Sequence, residues 1–127
     1  MEKFRKTLVI IGGINLIFWG LFHLTFWNAL DWQNELIKLT EMNSNVMQML
    51  NIALVVLLSA FGFVMLFYRG EILNSALGKA LLIIFALFWF ARLVGEFAFP
   101  GGSLIFGFVL FLCVMIYLIP AITFNKR

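Results

Sequence analysis

The sequence predicts an all-α membrane protein, a bundle of four transmembrane helices in antiparallel up-down order with a short interfacial helix between the first two. Three observations carry this expectation. Of 127 residues, 64% are hydrophobic and 12% charged, whereas soluble domains have roughly half apolar and about 25% charged residues. The mean hydropathy is +1.06. The apolar residues gather in four runs of about 20, the length needed to cross ~30 Å of hydrocarbon. Little chain remains for anything outside a bilayer, so residues 1–127 read as a single transmembrane domain.

The first span covers about 7–30. Glu2, Lys3, Arg5 and Lys6 precede it, and Thr7 to Leu30 contains no charged residue. This run exceeds the roughly 7–15 residues of a signal-peptide core, and no small-residue cleavage site follows, so it reads as a permanent span. In the segment of about 31–45, Trp32, Leu36, Leu39, Met42 and Val46 recur at helical spacing. Asp31 and Glu35 come early and Lys38 late, as a helix dipole favours. With Trp27 and Trp32 suited to the aromatic belt, this predicts a helix lying on the membrane surface.

The second span covers about 46–68, the third about 77–99, starting at Leu77 or Lys79, and the fourth about 103–124. Phe99-Pro100-Gly101-Gly102, with proline then glycine at its centre, suits a type II turn, and Ser103 can cap the next helix. Spans three and four therefore form a tight antiparallel hairpin. If both termini are cytoplasmic, Lys3, Arg5, Lys6, Arg69, Lys79, Lys126 and Arg127 share that side and only Lys38 lies opposite. That asymmetry follows the positive-inside rule. The expected location is a bacterial cytoplasmic membrane, with both termini inside.

Composition also excludes function classes. No P-loop, GxSxG, HExxH, CxxC or EF-hand pattern occurs, so the familiar soluble-enzyme classes lack support. Basic residues sit in short segments between apolar runs and form no stripe, so no nucleic-acid partner is expected. One cysteine and one histidine permit neither an intrachain disulfide nor a multi-histidine metal site within one protomer.

Charged groups inside hydrocarbon cost roughly 2.5–3.5 kcal/mol on insertion scales, so those that remain are functional candidates. Here they are His23, Arg92 and Glu96, accompanied by Asn15 and Asn51. At 1.5 Å of rise per residue, His23, Asn51 and Arg92 lie roughly 8–10 Å below the outer ends of their helices, and Glu96 about one turn nearer the surface. Helical spacing sets Asn15, Trp19, Phe22, His23 and Phe26 on one side of span one. It sets Met47, Asn51, Val55, Leu58 and Gly62 on one side of span two, and Phe85, Trp89, Arg92 and Glu96 on one side of span three. The expectation is that these three stripes face one another around a polar pocket open to the outside, with span four as the packing wall. The candidate ligand-binding residues are His23, Asn51, Arg92 and Glu96, with Trp19 and Trp89 beside them.

Each candidate also has a purely structural reading. Arg92 and Glu96 can be a self-neutralising i, i+4 pair that reaches towards the interface, and Asn51 and His23 can serve as interhelical glue. Gly12, Gly13, Gly20 and Gly62 permit close helix approach, either within one chain or at a homodimer seam; a homo-oligomer is the favoured expectation. No cofactor is predicted. Copper(I) on Met42, Met47 and Met49 near His23 suffers because Met47 and Met49 point to opposite sides of a helix, and haem would need His23 from two protomers.

In size and hydropathy the chain resembles the small multidrug-resistance and fluoride-channel families, but span one lacks the embedded glutamate of the first. No residue role is carried over. The functional expectation is a small polytopic membrane protein that binds, or binds and transports, a small or lipid-like ligand at the polar layer, with Arg92 suited to an anionic head group or carboxylate. The alternative is an accessory subunit of a larger membrane complex whose polar layer only sets helix register. His23 and Glu96 are capable acid–base groups, but no second carboxylate, serine nucleophile or metal set accompanies them, so binding is expected in preference to catalysis.

Overall fold

The computed structural model describes residues Met1–Thr123. Among these residues every regular element is helical. Four stretches, Glu2–Ala29, Glu41–Phe67, Ala76–Ala98 and Leu104–Ile122, are long and apolar enough to cross a bilayer, as an integral membrane protein requires. The elements are α1 (Glu2–Phe22), a 3-10 turn (His23–Thr25), α2 (Phe26–Ala29), α3 (Trp32–Glu35), a second 3-10 turn (Leu36–Lys38), α4 (Glu41–Phe67), α5 (Arg69–Asn74), α6 (Ala76–Ala98) and α7 (Leu104–Ile122). They fall into two compact units, one built from residues 1–12 with those from Met65 onward, the other from Gly13–Val64.

The surface helix expected over 31–45 is shorter, confined to Trp32–Glu35 and Leu36–Lys38. Asp31 turns the chain in the left-handed region (φ 48°), a conformation aspartate tolerates better than most residues, and both its carboxylate oxygens accept from Asn34 Nδ2 at 3.0 Å. Helical structure stops at Lys38, and Leu39 is extended. Thr40 then starts α4: its carbonyl accepts the Ser44 amide at 2.9 Å and its Oγ1 the Asn43 amide at 3.4 Å. A threonine N-cap answers the orphan amides of a first turn. Met42 and Val46 therefore belong to α4, which begins five residues before the expected span. Helix α1 likewise begins earlier, at Glu2, and the end of the fourth span at Phe124 lies outside the described residues.

In the Gly13–Val64 unit, α1 and α4 meet through small residues. A Cβ at Gly62 would stand 2.5 Å from Ile17 Cγ1 and 2.7 Å from the Gly13 carbonyl oxygen, and one at Gly20 would stand 2.7 Å from Ser59 Oγ. Apolar burial gives helices no net drive to associate where the solvent is lipid, so close backbone packing of this kind matters more. At Gly20 and Gly62 the close approach is made within one chain.

In the other unit, Arg5 of α1 is buried and its Nη2 donates to the Leu73 carbonyl at 3.1 Å, a cation satisfying an orphan carbonyl at the end of α5. Ser75 Oγ accepts the Gly78 amide at 2.9 Å and caps α6. The turn between α6 and α7 forms as expected: Gly101 takes φ 92°, the value a type II turn demands at its third residue. Ser103 Oγ accepts the Phe106 amide at 3.4 Å. Tyr117 is fully buried, and its hydroxyl donates to the Gly12 carbonyl at 2.7 Å, tying α7 to α1. Tyr117→Phe should lower stability by about 0.5–1.5 kcal/mol, the net value of one such bond, read as a lower melting temperature in detergent with the helical circular dichroism unchanged.

Candidate functional site

Four of the polar residues singled out from the sequence, His23 with Asn51 and Arg92 with Glu96, form two pairs, one in each unit. In the Gly13–Val64 unit, His23 opens the 3-10 turn at which α1 tightens. Its Nδ1 lies 2.6 Å from the Trp19 carbonyl oxygen. A carbonyl can only accept, so Nδ1 carries the proton and donates, leaving Nε2 as the second ring nitrogen. The imidazole packs on Phe26 with ring centres 4.6 Å apart. Asn51 of α4 donates through Nδ2 to the His23 backbone oxygen at 3.0 Å, while its Oδ1 is buried with no hydrogen-bond partner among the described residues. The Trp19 ring lies edge-on to Phe18 and Phe22, at 5.3 and 5.4 Å. Trp19 thus serves His23 through its carbonyl and the aromatic cluster through its ring.

The second pair sits where α6 turns into α7. Arg92 Nη1 lies 3.2 Å from Glu96 Oε2, with the arginine side chain 48% exposed and the glutamate only 10%. Glu96 Oε1 accepts the Ser103 backbone amide at 2.8 Å. One carboxylate therefore holds the guanidinium with one oxygen and the start of α7 with the other. The Arg92 guanidinium stands over the Phe106 ring, 5.5 Å from its centre, within cation–π range. An open cleft of about 350 Å³ is lined by Arg92, Glu96, Phe99, and the bare backbone of Gly95, Gly101 and Gly102. Arginine presents five N–H donors in a rigid fork, so the pairing of Nη1 with Glu96 leaves further donors on a guanidinium that lines this cleft.

The stripe Phe85, Trp89, Arg92, Glu96 was expected to face spans one and two. The structure turns it on α7, the helix expected to be only a wall. Phe85 lies 5.6 Å from Tyr117 between ring centres, Trp89 interacts with the Tyr117 hydroxyl, Arg92 covers Phe106 and Glu96 holds Ser103. The reason is local: the three-residue turn 100–102 brings α7 back along α6. Trp89, proposed from the sequence as a ligand contact, is 3% exposed and belongs to the core.

Two residues not singled out from the sequence make long-range bonds that hold the bundle rather than the candidate site. Arg5 was counted only as a topology charge, and Tyr117 only as one of a few polar residues in span four. Neither carries a motif, because each bonds a backbone carbonyl far away in sequence. Among the described residues no three His, Cys, Asp or Glu side chains converge as a metal site would need. The chain was compared with protein-family models, with curated proteins and with solved structures, and nothing matches it in any of the three.

Proposed function

We propose that this chain is a small four-span membrane protein in up-down order, with both termini cytoplasmic, that binds an anionic small or lipid-like ligand at Arg92. The observation that carries the reading is the half-exposed guanidinium lining a polar cleft floored by glycine backbone. An arginine at membrane depth is expensive, and here it is neither buried in the core nor wholly neutralised by its neighbour. Arginine's planar fork suits carboxylates and phosphates. In this reading His23 and Asn51 hold α1 to α4, and Glu96 positions the guanidinium and fastens the hairpin.

A ligand that binds only the folded protein raises its melting temperature by mass action. Lysophosphatidylglycerol or a fatty acid added to the detergent-solubilised protein should therefore stabilise the wild type, and Arg92→Ala should remove that stabilisation while leaving the unliganded melting temperature nearly unchanged. Equal shifts in both proteins would count against the proposal.

One observation favours the accessory-subunit reading: each of His23, Asn51, Arg92 and Glu96 already makes a hydrogen bond or ion pair within the chain. That reading expects a stoichiometric copurifying protein and tolerance of His23→Gln. The orientation is checked separately. In a Cys113→Ala background, Ile37→Cys, at a position 79% exposed, should react with a membrane-impermeant maleimide on intact cells. Lys3→Cys should react only after lysis; the reverse pattern would invert the topology.

A further inference from the structure

The segment between α2 and α4 makes a second cleft, in the Gly13–Val64 unit, whose chemistry is opposite to that of the Arg92 cleft. It encloses about 410 Å³ and is lined by Trp27, Trp32, Leu36, Glu41 and Gln48 among others. Trp32 is buried and braced edge-on by Phe26 at 5.9 Å, whereas Trp27 is half exposed. Glu41 opens α4 and makes no ion pair among the described residues. The one cation of segment 31–45, Lys38, is occupied by Glu35 at 2.6 Å. Gln48 donates its amide to the Ser44 carbonyl and hydroxyl at 3.2 and 3.3 Å, which leaves its carbonyl oxygen as an acceptor. The cleft therefore gathers two indoles, a carboxylate and an acceptor oxygen, and no basic side chain lines it.

Indole faces attract cations through their quadrupole, most strongly when the pair is removed from water. A carboxylate beside two indoles and an aliphatic wall matches one class of ligand. We propose that the Trp27–Trp32–Glu41 cleft binds an organic ammonium group, with Leu36 and its aliphatic neighbours covering the hydrocarbon attached to it. The ammonium can come from a free lipophilic amine or from the amine head of a phospholipid. This inference does not depend on the Arg92 cleft.

The test is calorimetric titration of the purified full-length protein in dodecyl maltoside with benzyltrimethylammonium, against its neutral isostere neopentylbenzene. Saturable binding of the cation at one site per chain is expected, with no saturation by the isostere. Because Trp32 is buried and its replacement can unfold the segment, the exposed positions carry the test. Glu41→Gln and Trp27→Leu should each weaken binding by about tenfold, in line with a desolvated cation–π or charge contact, with unchanged melting temperatures. Competition by lysophosphatidylethanolamine but not by lysophosphatidylglycerol identifies a lipid amine as the source, and no competition by either identifies a free amine. Equal affinity for cation and isostere, or wild-type affinity in both variants, overturns the proposal.

Discussion

Replacing Gly62 with valine is expected to cost at least about 3 kcal/mol, the upper end of the penalties for overpacking, and to lower the yield of folded protein sharply. The position has no room for a side chain, since even a Cβ would meet Ile17 Cγ1 at 2.5 Å and the Gly13 carbonyl oxygen at 2.7 Å. Backbone cannot yield as the tip of a flexible side chain can, so α1 and α4 would have to separate. Separation would also strain the Asn51 bond to the His23 carbonyl, made at 3.0 Å on the same pair of helices. Gly70 is the control: nothing lies within 4 Å of a Cβ placed there, so Gly70→Ala should be neutral or slightly stabilising through its better helix propensity. The measurement is thermal unfolding in detergent, followed by circular dichroism, for both variants side by side.

The second large effect is expected at Glu96, and it separates the hydrogen bond to Ser103 from the ion pair to Arg92. Glu96→Ala removes both the partner of Arg92 at 3.2 Å and the acceptor of the Ser103 amide at 2.8 Å. The second loss dominates, because a charge-assisted hydrogen bond is worth about 1.5–3 kcal/mol, whereas an ion pair to a half-exposed arginine contributes about 0–1 kcal/mol. Glu96→Gln retains an oxygen to accept the Ser103 amide and should cost less than about 1 kcal/mol. Melting temperatures should therefore fall in the order wild type, Glu96→Gln, Glu96→Ala. If Gln and Ala are equally harmful, the hairpin depends on the ion pair and the assignment of the Ser103 bond as the main fastening is wrong.

Much of this fold is legible in the sequence, and the reasons are physical. Helices in lipid must satisfy their own backbone and remain apolar along their whole length, so four spans can be read from hydropathy alone. The type II turn at Pro100-Gly101 is equally readable, because few residues other than glycine take φ 92°. The Thr40 and Ser75 caps are local signals too, but over 31–45 the apolar spacing overrode the break that Thr40 introduces. What a helical stripe does not tell is which neighbour it faces. Trp89 and Glu96 lie on one stripe as expected, yet they meet Tyr117 of α7 and its cap Ser103, since the short turn makes that neighbour unavoidable. The Arg5 bond to Leu73 and the Tyr117 bond to Gly12 span 68 and 105 residues, and no local pattern announces either.

Whether Arg92 holds an anionic ligand is decided by native mass spectrometry of the gently solubilised protein. The wild-type chain is expected to carry a stoichiometric extra mass, of a compound bearing a carboxylate or phosphate, that is absent from Arg92→Ala purified in the same way. An extra mass that persists in Arg92→Ala, or a wild-type chain that flies bare while a second protein copurifies with it, would contradict that claim.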